Sequence, residues 1–261
     1  MVSDEGAAGQ SGLERSPSGH CGPGQSSGAG RAAELARNLA AVRARIAAAC
    51  FAAGREPDEV RLIAVTKTYP ATDVIHLYRA GLREFGENRD QEAAAKADLT
   101  RAETPGVTWH FIGQLQTNKA RSVVSYADVV HSVDRLKLVH ALDDAAARAG
   151  RSPLCLVQVN LDPDAAGRGG AEPADVERIA DAVAESGALR LGGLMAVAPL
   201  GVNPGAAFER LADIAAKVRG AHAEAVSLSA GMSGDLEAAV AAGATHVRIG
   251  SALLGARPPL R

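Results

Sequence analysis

Apolar residues recur at Leu35, Leu39, Val42 and Ile46, at spacings of four, three and four, which lays one hydrophobic stripe along a single helical face from Arg31 onward. Gly54 and Pro57 predict the end of that helix. It precedes the first strand and reads as a lid or a brace. Beyond it the period changes. Short apolar or β-rich runs at 61–66, 82–86, 108–112, 128–133, 154–160, 189–198, 225–229 and 246–249 alternate with helix-like stretches such as 135–149, 173–186, 205–219 and 233–242, of crossover length. The run Leu154-Cys155-Leu156-Val157-Gln158-Val159 lacks strict alternation, as expected of a parallel strand covered by helices on its outer face. Eight strands are the number that a closed (β/α)8 TIM-type barrel requires. A doubly wound open sheet is the competing arrangement, and the absence of a Gly-rich dinucleotide turn after the first strand speaks against it. The expected fold class is therefore α/β: one (β/α)8 barrel preceded by an N-terminal helix.

Residues 1–30 follow a different rule, being dominated by Gly, Ser, Ala and Pro with almost nothing to bury. They are expected to form a disordered extension, with residues 31–261 forming the barrel and its helix. His20 beside Cys21 makes a poor metal site, since two ligands on a floppy segment pay the full cost of ordering. The 261 residues are 47% hydrophobic and 22% charged, enough for one substantial core. A net charge of -2, without basic runs interleaved with aromatics, excludes nucleic acid as the main partner. Cys21, Cys50 and Cys155 are widely separated, which argues against a disulfide framework or a zinc site. No apolar run is long enough to span a membrane and no signal-peptide profile opens the chain, so the expected compartment is the cytoplasm.

The candidate chemistry lies at strand ends. Lys67 closes the run Arg61-Leu62-Ile63-Ala64-Val65-Thr66-Lys67, and Thr68-Tyr69-Pro70 halts the strand there. At the other end of the chain, Gly231-Met232-Ser233-Gly234-Asp235 and Arg248-Ile249-Gly250-Ser251 read as small-residue turns between strand and helix. Such turns offer unpaired backbone N–H groups to an anion. In a barrel, phosphate often binds in the loops after strands seven and eight, where these turns fall. Strand one neighbours strand eight, so a lysine amine would share a rim with the Ser251 turn, and an amine facing a phosphate cup suggests a phosphorylated aldehyde. Each residue also has a plainer reading. Lys67 may be read as a solvated strand end, Ser233 as a helix cap, Gly250 as a packing glycine and Arg248 as half of an ion pair with a barrel carboxylate. Asn88, after Phe85-Gly86-Glu87, is either a hydrogen-bonding group at the site or a helix N-cap. His110 is either a proton carrier or a satisfied core histidine, and Asn118 and Lys119 either guard the cleft or face water.

Taken together, Ala64-Val65-Thr66-Lys67-Thr68, Phe85-Gly86-Glu87-Asn88, Trp109-His110-Phe111-Ile112-Gly113, Leu228-Ser229-Ala230-Gly231-Met232-Ser233-Gly234-Asp235 and Val247-Arg248-Ile249-Gly250-Ser251 resemble the pyridoxal phosphate homeostasis protein family, from about residue 35 to residue 257. That family shares its barrel with the N-terminal domain of alanine racemase. The resemblance implies pyridoxal 5'-phosphate (PLP) as cofactor and Lys67 as the Schiff-base lysine. It also implies a phosphate site made by Ser233, Gly250, Ser251 and the Met232 backbone, Arg248 against the pyridine nitrogen, and Asn88 near the ring. Two positions depart from the family pattern: Ala230 stands where Met is usual and Arg89 where an aromatic is frequent.

Related racemases and decarboxylases carry a second, mostly β domain, for which the few residues after Ser251 leave no room, and a racemase also needs a second acid or base across the ring. The expectation is thus a non-catalytic, monomeric cytoplasmic carrier that holds PLP reversibly and supplies apo PLP-dependent enzymes. The alternatives are a single-domain amino-acid racemase using Tyr69 or His110 as second base, and a Schiff-base aldolase acting on sugar phosphates.

Overall fold

The computed structural model describes residues 28–162 and 169–255. Helix α1 (Gly28–Ala52) comes first and takes in three residues of the segment expected to be extension; the rest of that segment, with His20 and Cys21, lies outside the described residues. Then follow β1 (Arg61–Val65), α2 (Ala71–Arg79), β2 (Glu84–Glu87), α3 (Asp90–Thr100), β3 (Thr108–Phe111), α4 (Ala120–Tyr126), β4 (Val129–Val133) and α5 (Leu136–Ala149). The second half contains β5 (Leu154–Gln158), α6 (Val176–Ala184), β6 (Arg190–Met195), α7 (Pro204–Ala221), β7 (Ser227–Ser229), α8 (Leu236–Ala241), β8 (His246–Ile249) and α9 (Ser251–Leu254). The eight strands pair in sequence order, all parallel, into a closed barrel. Closure is the β1–β8 pairing, with Leu62 opposite Val247, Ile63 opposite Arg248 and Ala64 opposite Ile249.

Each of the eight expected strands is present, most of them shortened at one or both ends. The run at 189–198 leaves the ladder after Met195, and the helix expected over 173–186 is divided into a 3-10 turn at Pro173–Asp175 followed by α6. The helix expected from residue 233 starts at Leu236, because Met232 to Asp235 close a turn in which the Met232 N–H donates to Asp235 Oδ1 at 2.5 Å.

Helix α1 is a brace. Its stripe Leu35, Leu39, Val42 and Ile46 is buried, packed over α2, α8 and α9 at the β1–β8 seam. Polar groups lock it there. Arg31 donates to both carboxylate oxygens of Asp73 in α2, at 3.2 and 2.7 Å, and to the Leu254 carbonyl of α9 at 2.9 Å. Asn38 reaches the Leu253 carbonyl, and Arg55 takes the carbonyls of Val240 and Ala244. The Leu253 and Leu254 carbonyls are among those that the end of α9 leaves unpaired.

Alternation along β8 turns Val247 and Ile249 toward the helices and His246 and Arg248 toward the axis. Glu84, His110 and His131 also face inward, so the amino-terminal half of the interior is polar and lines a cavity of about 690 Å³ at that mouth. Burial, with His110 and Arg61 nearby, pushes the His246 imidazole down to about 4, and burial holds His131 well below the ordinary histidine value. A break in register between β5 and β6 is absorbed at Gly192 and Gly193. A Cβ on Gly193 (φ 138°) would lie 2.0 Å from the Ser227 carbonyl oxygen, so only glycine permits that pairing.

Two outcomes are expected. Gly193→Ala should lower unfolding free energy by at least ~3 kcal/mol in urea titrations; an unchanged midpoint would contradict the bulge geometry. His246, neutral in the fold and with its pKa depressed from 6.5, contributes stability that is present above pH 6.5 and lost as pH falls toward about 4. The loss is at most about 3 kcal/mol. The variant His246→Gln should therefore show a shallower decline over that interval, and an identical slope would refute the assignment.

Candidate functional site

Lys67 lies two residues beyond β1, half-buried, in a loop held from three sides. Thr66, wholly buried, donates its hydroxyl to Glu87 Oε1 at 2.6 Å. Thr68 takes a positive φ of 69°, costly for a β-branched residue, while its N–H donates to Glu92 Oε1 at 2.5 Å. Tyr69 donates its hydroxyl to the Gly255 carbonyl at 2.7 Å. Beneath the loop sits buried Lys96, whose ammonium donates to the Thr66 carbonyl at 2.8 Å, to Glu87 Oε1 at 2.5 Å and to Glu92 Oε1 at 3.1 Å. Burial pushes the Glu87 carboxyl up, and the neighbouring ammonium and hydroxyl counter that. This cluster has no role in the sequence reading. Its only signal there is the i, i+4 pair Glu92 and Lys96, the usual mark of a solvated helix face.

Across the seam, the two small-residue turns meet. Ser251 Oγ lies 3.4 Å from Ser233 Oγ, and the Ala252 N–H points to Ser233 Oγ at 3.5 Å. Ser233 does not cap α8, whose N-cap is Asp235; its hydroxyl faces the start of α9 instead. Gly231 must be glycine, with φ 88° and a Cβ that would stand 2.6 Å from the Ala239 methyl. Gly250 is different, because a Cβ there would meet Val65 at an ordinary 3.6 Å. Packing alone does not demand glycine at 250. The same distance shows that the β8 turn rests on the last residue of β1, two positions before Lys67. Arg45 of α1 fixes the other turn by donating to the Ser233 carbonyl at 2.7 Å, while the Met232 side chain stays 39% exposed.

Arg248 points into the barrel and is 4% exposed. Its Nη1 donates to Ser229 Oγ at 2.7 Å and its Nη2 to the Ala196 carbonyl at 2.8 Å. Among the described residues no carboxylate forms an ion pair with it, so the expected alternative of a structural salt bridge is not what the fold contains. Burial pushes the guanidinium down to about 10, which leaves it charged at neutral pH. Asn88 is not a helix cap either, since α3 is capped by Arg89. Its Oδ1 is buried without a hydrogen-bond partner, and the backbone of Asn88 sits so close to Gly113 that a Cβ there would lie 2.2 Å from the Asn88 carbonyl oxygen. An orphaned acceptor held this rigidly costs stability unless something external satisfies it.

The remaining sequence candidates fall elsewhere. His110 bonds Glu84 and His131 on the amino-terminal side of the barrel interior, and Lys119 stands 3.9 Å from Asp90 beside the short 3-10 turn Thr117–Lys119. Ala230 is buried behind the β7 turn. The described residues hold no cluster of three metal-ligating side chains, and none of their helices is long and apolar enough to cross a membrane.

Comparison with known proteins identifies the family of the chain. The alanine racemase N-terminal domain family matches residues 34–258. The pyridoxal phosphate homeostasis protein of Mycobacterium tuberculosis (strain ATCC 25618 / H37Rv) is 47% identical over 244 residues, covering 87% of this chain and 94% of that protein. Its counterpart in Escherichia coli (strain K12) is 42% identical over 231 residues, covering 86% and 97%. Among solved structures, PipY of Synechococcus elongatus PCC7942 with PLP bound matches at a TM-score of 0.75 and 39% identity, covering 85% of this chain and 100% of that one. Alanine racemase from Streptomyces coelicolor A3(2) matches at a TM-score of 0.70 and 21% identity, covering 87% and 59%, a likeness of fold alone. The chain therefore belongs to the pyridoxal phosphate homeostasis protein family and is built on the alanine racemase N-terminal domain.

Proposed function

We propose that the protein binds pyridoxal 5'-phosphate at the carboxy-terminal rim of the barrel, holds it as a Schiff base on Lys67, and serves PLP homeostasis as a carrier without turning over amino acids. The observation that carries this reading is the convergence of the Ser233 and Ser251 hydroxyls, 3.4 Å apart, on a β8 turn that rests against Val65, next to the lysine loop. The residues present fit the cofactor. A primary amine, two hydroxyls on glycine-flanked turns, a buried guanidinium that no carboxylate among the described residues pairs and an unsatisfied amide oxygen match an aldehyde, a phosphate, a ring nitrogen and a ring hydroxyl. PipY, at 39% identity, binds PLP in the same fold.

In this reading Ser233, Gly250 and Ser251 would hold the phosphate, joined by the Met232 backbone once its N–H leaves Asp235 Oδ1, and Lys67 would present its amine to the aldehyde. PLP supplies that aldehyde and, when its ring nitrogen is protonated, an electron sink. Arg248 would face the ring nitrogen as a donor and so disfavour a proton there, which would weaken the sink and suit retention rather than turnover. Asn88 directs its orphaned oxygen at the ring hydroxyl. Neither candidate for a second base supports racemisation, since the Tyr69 hydroxyl donates to Gly255 and His110 lies among Glu84 and His131 below the rim. The carrier reading places the protein in the cytoplasm as a monomer, delivering cofactor to apo PLP-dependent enzymes.

Lys67→Ala should abolish the imine absorption band while the protein stays folded and retains weak binding through the phosphate; an unchanged spectrum would overturn the Lys67 assignment. Ser233→Ala with Ser251→Ala should weaken retention of PLP by about tenfold or more, corresponding to roughly one charge-assisted hydrogen bond, and leave unphosphorylated pyridoxal unaffected. Equal losses for both would show that the serines do not hold phosphate. In deuterated water, no exchange of the α-proton of alanine or other amino acids is expected, and sustained exchange would establish the racemase instead.

A further inference from the structure

A continuous line of hydrogen bonds runs along the barrel axis from Arg248 to the opposite mouth. Arg248 Nη1 meets Ser229 Oγ at 2.7 Å, Ser229 Oγ meets His131 Nδ1 at 3.0 Å, His131 Nε2 meets His110 Nδ1 at 2.8 Å, and His110 Nε2 meets Glu84 Oε2 at 2.6 Å. Ser229 and His131 are fully buried. With both imidazoles neutral, the carboxylate end fixes the direction of every proton along the line. A guanidinium only donates and a carboxylate only accepts. Ser229 must therefore accept from Arg248 and donate to His131 Nδ1, His131 must carry its proton on Nε2 and donate to His110, and His110 must carry its proton on Nε2 and donate to Glu84. One arrangement satisfies all four links with neutral rings. The charged and titratable groups facing the histidine pair are Glu84 from β2, Arg61 from β1, and His246 and Arg248 from β8. A proton added to His110 would reverse the His131 tautomer and strand the Ser229 hydroxyl hydrogen without an acceptor.

We propose that Ser229 and His131, backed by His110 and Glu84, are positioning residues that orient Arg248 toward the ring nitrogen of the bound cofactor, so that groups remote from the rim set how the cofactor is held. This rests on the PLP reading above.

The direct test in the apoprotein is nitrogen-15 NMR of the imidazoles at neutral pH. His131 and His110 should each carry one proton on Nε2, and a proton on His131 Nδ1 would overturn the proposal. In the PLP-loaded protein, Ser229→Ala and His131→Leu should shift the absorption maximum and speed cofactor release several-fold, although neither side chain lies at the rim, and Ser229→Thr should restore both. If folded Ser229→Ala and His131→Leu leave the band in place while Arg248→Ala moves it, the relay fails and the cofactor reading survives. If Arg248→Ala leaves it in place as well, the placement of Arg248 at the ring fails too.

Discussion

The pairing of β1 with β8 is the constraint on which the site depends. Lys67 and Ser251 are 184 positions apart in the chain (251 − 67), and the strands that carry them are brought side by side by the pairing of Ile63 with Arg248 and Ala64 with Ile249. A parallel register is unforgiving, since a slip of one residue would turn His246 and Arg248 out among the helices and Val247 and Ile249 into the axis. Helix α1 spans this seam from outside, tied to α2 by Arg31 and to α8 and α9 by Arg45 and Asn38, while Arg55 just beyond its end reaches the Val240 carbonyl of α8. The last strand of the barrel is thus clamped to the first, and the turns after β7 and β8 are clamped with it.

The protein accepts unusual burial to build this rim. Arg248 is desolvated with a hydroxyl and a carbonyl as its partners, and Lys96 and Glu87 are buried as a pair under the lysine loop. Buried charges of this kind contribute little net stability compared with apolar packing. What they supply is definition: Lys96 ties the Thr66 carbonyl to Glu87, and Glu92 holds Thr68 in a backbone conformation it would otherwise avoid. A loop with one shape holds the Lys67 backbone in one place.

Much of this was legible in the sequence, and the reason is periodicity. Strands such as 154–160 and helices such as 135–149 announce themselves through local composition, and glycine-rich turns mark where they stop. The placement of Lys67 after β1, of Ser233 after β7 and of Gly250 and Ser251 after β8 was legible because small residues and proline punctuate the chain there, whereas Arg248 falls within β8. What the chain does not display is convergence in three dimensions. Glu92 and Lys96 look like a surface pair until α3 is laid over β2, and His131 looks like one polar residue in a valine strand until His110 and Ser229 arrive from β3 and β7. Ser233 looked like a helix cap because the turn that delays α8 to Leu236 depends on the Asp235 side chain, which composition does not reveal.

The central claim is that one amine and two serine-bearing turns address a single phosphorylated aldehyde. Borohydride reduction of the PLP-loaded protein, followed by proteolysis and mass spectrometry, tests it most directly because it converts a reversible contact into a permanent mark. The reduced pyridoxyl group should be found on the peptide containing Lys67. Recovery of the label on Lys96, Lys119 or another lysine instead, or no label on a protein that demonstrably holds the cofactor, would contradict the account.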